Sequence, residues 1–249
     1  MPLARPLIAG NWKMNGLEAS LDQARALMAA VDAQPPAARV ALCPPATLVW
    51  RMAEVLAGSS ILVGGQDCRA ERQGPFTGDI SAEMLFDAGA RLVILGHSER
   101  RTGHGESDET VAAKVLAALR AGLEPIVCIG ESAEQRKAGD ALAVVVEQLR
   151  GSLPPELRDQ SFSVAYEPVW AIGSGITPTL EQIEAVHGAV RETLEALFGD
   201  GGQQTPILYG GSVTGANAGP ILRASEVGGA LVGGASLRAA DFTAILGAL

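Results

Sequence analysis

Three side chains of different chemistry each accompany a short apolar run in this sequence of 249 residues. Lys13 follows PLIAGNW, His97 ends RLVILGH, and Glu167 lies near the end of FSVAYEP. A carboxylate can remove a carbon-bound proton, an imidazole can polarise a carbonyl, and a fixed cation can offset the charge that then develops. Together these groups supply what enolisation next to a carbonyl requires.

Taken singly, each of the three residues has a simpler interpretation. A lysine just past a strand is usually a surface residue, a lone histidine is usually structural, and a glutamate at a strand end often caps a helix. The enolisation hypothesis therefore depends on a fold that brings all three side chains to one place.

The pattern of the whole chain predicts such a fold. Short apolar runs recur at 6–12, 39–44, 60–66, 91–97, 125–131, 162–168, 206–212 and 229–235. Most of them do not alternate apolar and polar residues, which is typical of strands covered on both faces. Helix-like stretches lie between them, most clearly at 17–31, at 107–122 after a Ser107 N-cap, and at 180–199.

Eight strand–helix units in 249 residues average about 31 residues each, close to the ~30 residues of a βαβ unit. We therefore predict one α/β domain over residues 1–249, a (β/α)8 barrel, with an open doubly wound sheet as the alternative. In such a barrel the active groups lie at the carboxyl ends of the strands. Lys13, His97 and Glu167 would then converge on one rim.

Glycine pairs follow the last two predicted strands, in YGGS (209–212) and VGGA (232–235). Glycine lets backbone N–H groups approach an anion closely, and the loops after strands seven and eight commonly hold phosphate in barrels. One glycine pair alone is often just a tight turn. Two pairs at the same rim, together with Gly173, favour a phosphate site.

A flap is predicted directly after Glu167. It begins at a proline, ends in glycines and comprises Pro168, Val169, Trp170, Ala171, Ile172, Gly173, Ser174 and Gly175. Trp170 and Ile172 would form its apolar underside, and its closure would exclude water from the base.

A polar loop is predicted at residues 67–79. It is either a surface loop or a protrusion that buries Phe76 and Thr77 against another subunit.

Composition argues against several other classes of protein. The net charge of −9 disfavours nucleic acid and anionic membranes as partners, and no apolar run is long enough to span a bilayer. The three cysteines and three histidines lack metal-ligand spacing, so we expect reduced thiols and no metal site. No targeting segment is visible, and we expect a cytoplasmic protein.

The motifs taken together resemble the triosephosphate isomerase family. They occur in order along residues 6 to 247, as GNWKMN (10–15), GHSERR (96–101), GESDE (105–109), CIGE (128–131), AYEPVWAIG (165–173), YGGSV (209–213) and LVGGASL (231–237). The resemblance implies a TIM barrel that interconverts dihydroxyacetone phosphate and D-glyceraldehyde 3-phosphate without a cofactor or metal. It also implies a homodimer, in which Thr77 matches the loop-tip residue that reaches the active site of the partner.

The resemblance assigns a role to each matched residue. Glu167 matches the general base, His97 the electrophile that shuttles protons, and Lys13 the electrostatic partner beside Asn11. Glu99 matches an acid that positions the surroundings of Lys13. Backbone phosphate donors match Gly173, Ser212, Gly233 and Gly234.

Two positions depart from the usual end of the flap. Ile176 stands where the family commonly has lysine, and Pro178 stands where it has alanine. Proline fixes its own φ and restricts the residue before it, so we expect a stiffer hinge and altered flap kinetics.

Two other functions stay open at this point, namely a barrel acting on phosphoribosyl amines and a non-catalytic barrel that binds a ligand.

Overall fold

The computed structural model describes residues 5–172 and 176–249. Eight parallel strands close into a barrel in the order β1 to β8, with β8 paired to β1. The strands are β1 Leu7–Asn11, β2 Arg39–Cys43, β3 Ile61–Gly65, β4 Leu92–Leu95, β5 Glu124–Ile129, β6 Ser163–Tyr166, β7 Ile207–Tyr209 and β8 Gly229–Val232. The predicted (β/α)8 barrel is confirmed.

Helices surround this barrel. They are α1 Leu21–Ala33, α2 Ala46–Val55, α3 Ala82–Asp87, α4 Ser98–His104, α5 Asp108–Ala121, α6 Ala133–Ala138, α7 Ala141–Ser152, α8 Leu180–Phe198, α9 Asp200–Gln204, α10 Ala218–Leu222 and α11 Ala239–Leu246. Short 3-10 turns lie at Glu18–Ser20, Pro155–Leu157 and Gly234–Leu237. In the described part of the chain, no helix is long and apolar enough to cross a membrane.

Local signals explain the best-defined helix ends. The Ser107 hydroxyl accepts a hydrogen bond from the N–H of Thr110 at the start of α5, and Gly122 ends that helix in the left-handed conformation. Thr179 caps α8 in the same way, and α8 ends at Gly199. These two helices follow their predicted bounds because both ends carry a residue that satisfies the free backbone groups.

The barrel strands bury side chains on both of their faces, except that Leu62 on the inward face of β3 is only partly buried. The inward side chains form a small cluster made of Leu7, Ala9, Ala41, Cys43, Leu92, Ile94, Ile126, Cys128, Ala165, Leu208 and Leu231. The outward side chains pack under the helices in a much larger cluster.

At the amino-terminal end of the barrel, Arg39 of β2 and Glu124 of β5 form two hydrogen bonds of 3.0 and 2.5 Å. That end is therefore closed by a charged pair, and the space for a ligand lies at the carboxyl end.

Candidate active site

A cavity of about 330 Å³ opens at the carboxyl end of the barrel. Asn11 and Lys13 line it after β1, His97 after β4, and Glu167 after β6. Ser212, Gly233 and Gly234, which follow β7 and β8, also line it, together with Ile172 of the flap. The barrel thus brings together residues that lie more than 200 positions apart in the sequence.

Glu167 is 1% exposed, and three hydrogen bonds hold its carboxylate. The main-chain N–H of Ser98 donates to Oε2 at 2.9 Å, and the Ser98 hydroxyl donates to Oε1 at 2.9 Å. Nε2 of His97 lies 2.9 Å from the same Oε1. Burial by itself raises the pKa of the Glu167 carboxyl, but the interactions with His97 and Ser98 outweigh it and hold that pKa below its ordinary value. Glu167 is therefore ionised near neutral pH, as a base must be.

The backbone around Glu167 is closely packed. A side chain at Gly210 would place its Cβ only 2.9 Å from Cγ of Glu167. Glycine at that position leaves room for the carboxylate at the end of β6. The base is thus confined by the neighbouring β7 loop as well as by its hydrogen bonds.

His97 caps the amino terminus of α4. Its Nδ1 accepts a hydrogen bond from the N–H of Glu99 at 3.3 Å. A ring nitrogen that accepts a hydrogen bond carries no proton, so in the neutral form of this imidazole the proton lies on Nε2. That proton points at the carboxylate of Glu167, which itself lines the cavity. The arrangement gives His97 a directed donor at the place where a substrate oxygen would bind.

Lys13 has a left-handed backbone with φ of 53°, which is uncommon for a residue with a side chain. Neighbouring side chains hold it there. Oδ1 of Asn11 accepts from the N–H of Lys13 at 2.9 Å, and Nε2 of Gln66 donates to its carbonyl at 2.9 Å. The Lys13 ammonium lies 2.6 Å from Oε1 of Glu99. This set of contacts fixes a cation at the edge of the cavity.

The glycine loops leave space directly beside that cation. A Cβ at Gly234 would meet no atom within 4 Å, and one at Gly233 would meet only Cε of Lys13 at 3.7 Å. Their backbone therefore faces open volume next to a positive charge. Such a surface can accept an anion the size of a phosphate group.

The first part of the flap is tied to the barrel through Trp170. The indole N–H donates to Oε1 of Glu131 at 2.7 Å, and the guanidinium of Arg136 stacks over the ring at 4.5 Å. The same Glu131 oxygen accepts from the hydroxyl of Tyr166 at 3.1 Å and from Arg136 at 2.8 Å. Trp170 is therefore anchored by a polar contact, whereas Ile172 faces the cavity as an apolar surface. The predicted phosphate donor Gly173 and the flap residues Ser174 and Gly175 lie outside the described residues.

Two predicted residues of the polar loop 67–79 lie apart from the cavity. Phe76 is half-buried under the guanidinium of Arg69, 3.7 Å from the ring centre, and Thr77 is exposed. Sequence reasoning also missed Ser98, which supplies two of the three hydrogen bonds to Glu167. Only its position directly after His97 gives a signal, because a residue there begins a helix beside the active rim.

Among residues 5–172 and 176–249, no three His, Cys, Asp or Glu side chains cluster in a way that could hold a metal ion. The three cysteines are free and buried. Cys128 packs behind Glu167, and burial together with the Glu167 charge raises the pKa of its thiol.

Comparison with known proteins gives one family. The family model described as triosephosphate isomerase matches residues 6–249. A triosephosphate isomerase of Caulobacter vibrioides is 59% identical over 245 residues, which cover 98% of this chain and 97% of that protein. One of Afipia carboxidovorans is 54% identical and covers 97% of this chain and 96% of its own length. A crystal structure of triosephosphate isomerase from Bartonella henselae superposes with a TM-score of 0.92 at 47% identity, covering 98% of both chains.

Proposed function

The chain belongs to the triosephosphate isomerase family, and from that premise we propose how its residues carry out the reaction. The enzyme interconverts dihydroxyacetone phosphate and D-glyceraldehyde 3-phosphate, a step of glycolysis and gluconeogenesis. The observation that carries the assignment of roles is the convergence of Glu167, His97 and Lys13 on one cavity.

We propose that Glu167 takes the proton from carbon 1 of dihydroxyacetone phosphate. The electron pair of that C–H bond moves into a carbon–carbon double bond, and negative charge develops on the oxygen of carbon 2. Nε2–H of His97 donates to that oxygen, and the ammonium of Lys13 offsets the charge. His97 then transfers a proton between the two oxygens, and Glu167 returns its proton to carbon 2. Protons and charge balance without a cofactor.

The contact between His97 and Glu167 sets one requirement for this reaction. Nε2 of His97 and Oε1 of Glu167 are bonded to each other at 2.9 Å, so substrate must enter between them and replace that bond. The substrate oxygen then becomes the partner of His97, and the freed carboxylate oxygen faces the carbon. We propose that closure of the flap, residues 168–175, moves the base into this position and excludes water.

We propose that the phosphate group binds next to Lys13, on the backbone of Ser212, Gly173, Gly233 and Gly234, with Asn11 holding the Lys13 backbone. The open volume beside Gly233 and Gly234 supports this placement for the two glycines. Glu99 is proposed to position the Lys13 ammonium through the 2.6 Å ion pair. Since Glu99 is more than half exposed, the pair adds little stability, and its effect is on geometry.

The experiment for these roles is replacement of Glu167 by glutamine and by aspartate. Glu167→Gln keeps the size of the side chain but removes the base, and we expect kcat to fall by about 100- to 10,000-fold. Glu167→Asp keeps the charge but withdraws it by one methylene, so it is expected to lose less. Turnover is measured with glyceraldehyde 3-phosphate in a coupled assay. Full activity in both variants would rule out Glu167 as the base.

We further propose that the enzyme is a homodimer in the cytoplasm, with residues 1–249 forming one barrel domain. A second cavity of about 1030 Å³ lies beside the active site and is lined by Lys13, Met14 and His104, among others. Met14 is 95% exposed in the isolated chain, which is unusual for a large apolar side chain. These features support a partner subunit whose loop 67–79, with Phe76 and Thr77, enters this cavity. The free, buried cysteines support a reducing compartment.

The two alternative functions find no support. A barrel acting on phosphoribosyl amines has no use for the His97 and Glu167 pair, and a non-catalytic barrel has no reason to retain Lys13 beside them. No observation on the molecule favours either one.

A further inference from the structure

Arg101 binds the backbone behind two residues of the active site. It lies on α4, one helical turn after His97. Its Nε donates to the carbonyl of Gly96 at 2.9 Å, and its Nη2 donates to the carbonyl of Cys128 at 3.2 Å. One guanidinium therefore bridges the carboxyl ends of β4 and β5.

The Gly96 carbonyl belongs to the peptide group that joins Gly96 to His97. Gly96 has a left-handed backbone with φ of 66°, and a Cβ there would lie 2.8 Å from Val111 and 3.1 Å from Nη2 of Arg101. The chain therefore makes a tight turn between β4 and α4. The hydrogen bond from Arg101 fixes the plane of the peptide from which the imidazole projects.

The Cys128 carbonyl is the corresponding link toward Glu167. Cys128 is fully buried in β5 and pairs with Ala165 of β6, two residues before Glu167. The main-chain N–H of Glu167 donates to the carbonyl of Ile129, the next residue along β5, at 2.8 Å. Displacement of this part of β5 would therefore displace the backbone of Glu167.

The guanidinium is itself held from two sides. Nη1 donates to Oδ1 of Asp108 at 2.6 Å, and Nη2 donates to the hydroxyl of Ser152 at 2.9 Å. The Ser152 hydroxyl in turn donates to Asp108 at 3.0 Å. The Arg101 side chain is only 14% exposed. A planar fork with several donors suits this place, and a lysine could not reach both carbonyls and Asp108 together.

We propose that Arg101 is a positioning residue, which sets the relative placement of His97 and Glu167 by holding the carbonyls of Gly96 and Cys128. The proposal rests on the roles proposed for those two residues. Arg101 does not touch the cavity that receives substrate, so its effect acts on the proton-transfer step through the two residues that it holds.

The test is to replace Arg101 by alanine and by lysine and to measure kcat and KM separately. We expect Arg101→Ala to lower kcat by about 10- to 100-fold, because a displacement of about 1 Å at the reacting groups can cost about 100-fold. KM should change by less than about threefold, since the phosphate side of the cavity is untouched. Added guanidinium should restore part of kcat in Arg101→Ala, whereas equal ionic strength of sodium chloride should not. Arg101→Lys keeps the charge beside Asp108 and is expected to lose kcat without responding to guanidinium.

Arg158→Ala is the matched control. Arg158 also donates to two main-chain carbonyls, those of Leu197 and Phe198, but at a distance from the active site. Its loss should cost stability without lowering kcat in the folded enzyme. Equal loss of kcat in Arg101→Ala and Arg158→Ala, measured equally far below their melting temperatures, would overturn the proposal. So would unchanged kcat in Arg101→Ala or, if that variant does not fold, in Arg101→Lys.

Glu167→Gln, assayed in parallel, separates this proposal from the function on which it rests. If Glu167→Gln retains full activity, the base assignment fails whatever Arg101 does. If Glu167→Gln is inactive while the Arg101 variants match the wild type, only the positioning role of Arg101 is refuted.

Discussion

At the scale of single residues, Ser98 helps to keep the carboxylate of Glu167 ionised. It donates twice to the Glu167 carboxylate, and these bonds help His97 to lower the pKa of a carboxyl whose burial alone would raise it. The hydrogen bonds that keep the Glu167 carboxylate ionised therefore also occupy its two oxygens. Catalysis requires that some of these bonds be exchanged for contacts with substrate.

Ser98→Ala tests that balance. The substitution removes the hydroxyl bond to Glu167 and leaves the main-chain N–H bond, so the pKa of Glu167 in the free enzyme should rise. A base with a higher pKa is protonated at higher pH, and the acid limb of the kcat/KM profile should therefore move upward in pH. Ser107→Ala, which removes a serine cap from α5, serves as control and should leave that limb in place. An acid limb that coincides in wild type and Ser98→Ala would contradict the electrostatic role of the hydroxyl.

The sequence predicted the chemical groups of the site but not all their contacts. Lys13, His97 and Glu167 could be chosen because each has strong chemistry and follows an apolar run. Ser98 could not, because its role depends on the distance between the ends of β4 and β6, which no local pattern encodes. The same holds for Arg101, which donates to the backbone carbonyls of Gly96, just after β4, and of Cys128, in β5.

At the scale of elements, the strands were predictable for a physical reason. A parallel strand covered by helices on one face and by the barrel interior on the other must be apolar throughout, and such a run stands out in a sequence. Helix ends were harder to predict between β5 and β6. That region contains two helices, because Gly139 adopts a φ of 87° that ends α6, and α7 then begins without a side-chain cap.

The hinge at the far end of the flap contains Pro178, which leads to a prediction at the scale of elements. Proline fixes its own backbone and restricts Thr177, so the segment that leads into α8 has fewer conformations available. We expect Pro178→Ala to change the relaxation rate of the flap, followed through the Trp170 indole N–H by NMR relaxation dispersion, while catalysis persists. Loss of the proline should also lower stability by about 0.4–1 kcal/mol.

Pro155→Ala is a suitable control for the hinge experiment. Pro155 lies in a 3-10 turn before β6, and its loss should lower stability without changing flap relaxation. If Pro178→Ala leaves both flap relaxation and turnover at wild-type values, the stiff-hinge hypothesis is wrong.

At the scale of the whole molecule, one buried histidine links stability to pH. His187 lies on α8 with no exposed surface, and its Nδ1 is 3.2 Å from the carbonyl of Glu226. Burial lowers its pKa to about 4, although the Glu226 carbonyl opposes this shift. The unfolded chain, with a histidine pKa of about 6.5, binds this proton more readily than the folded one.

The sign of the effect follows from that difference. The folded state is fully stable above about pH 6.5 and loses about 1.4 kcal/mol per pH unit as pH falls toward 4, or about 2 kcal/mol between pH 7 and pH 5. Urea unfolding at these two pH values should show that loss in the wild type, and His187→Gln should remove most of it. Thr193→Ala, at a buried residue of the same helix that does not titrate, should retain the loss. An equal pH dependence in wild type and His187→Gln would exclude His187 as its source.

The proposed dimer also belongs to the scale of the whole molecule, and a substitution at Thr77 tests it directly. Thr77 is exposed near the tip of loop 67–79, and the cavity proposed to receive that loop has cations that are already paired with carboxylates, such as Lys114 with Glu106. Thr77→Arg would place a bulkier, charged side chain in the proposed interface, where it would lose its hydration without gaining a free partner. We expect the wild type to have twice the chain mass of 25.6 kDa in light scattering, and Thr77→Arg to dissociate at about 100-fold higher concentration, equivalent to about 2.7 kcal/mol.

Activity should follow the same concentration dependence, because the cavity borders Lys13 and the loss of the partner exposes the loop that carries this cation. Gln160→Arg adds the same charge at an exposed turn on the amino-terminal side of β6, and it should leave both the mass and the activity unchanged. A wild-type chain that remains at 25.6 kDa over the whole concentration range, with full activity, would refute the dimer. A Thr77→Arg variant that stays dimeric would place the interface elsewhere on the barrel.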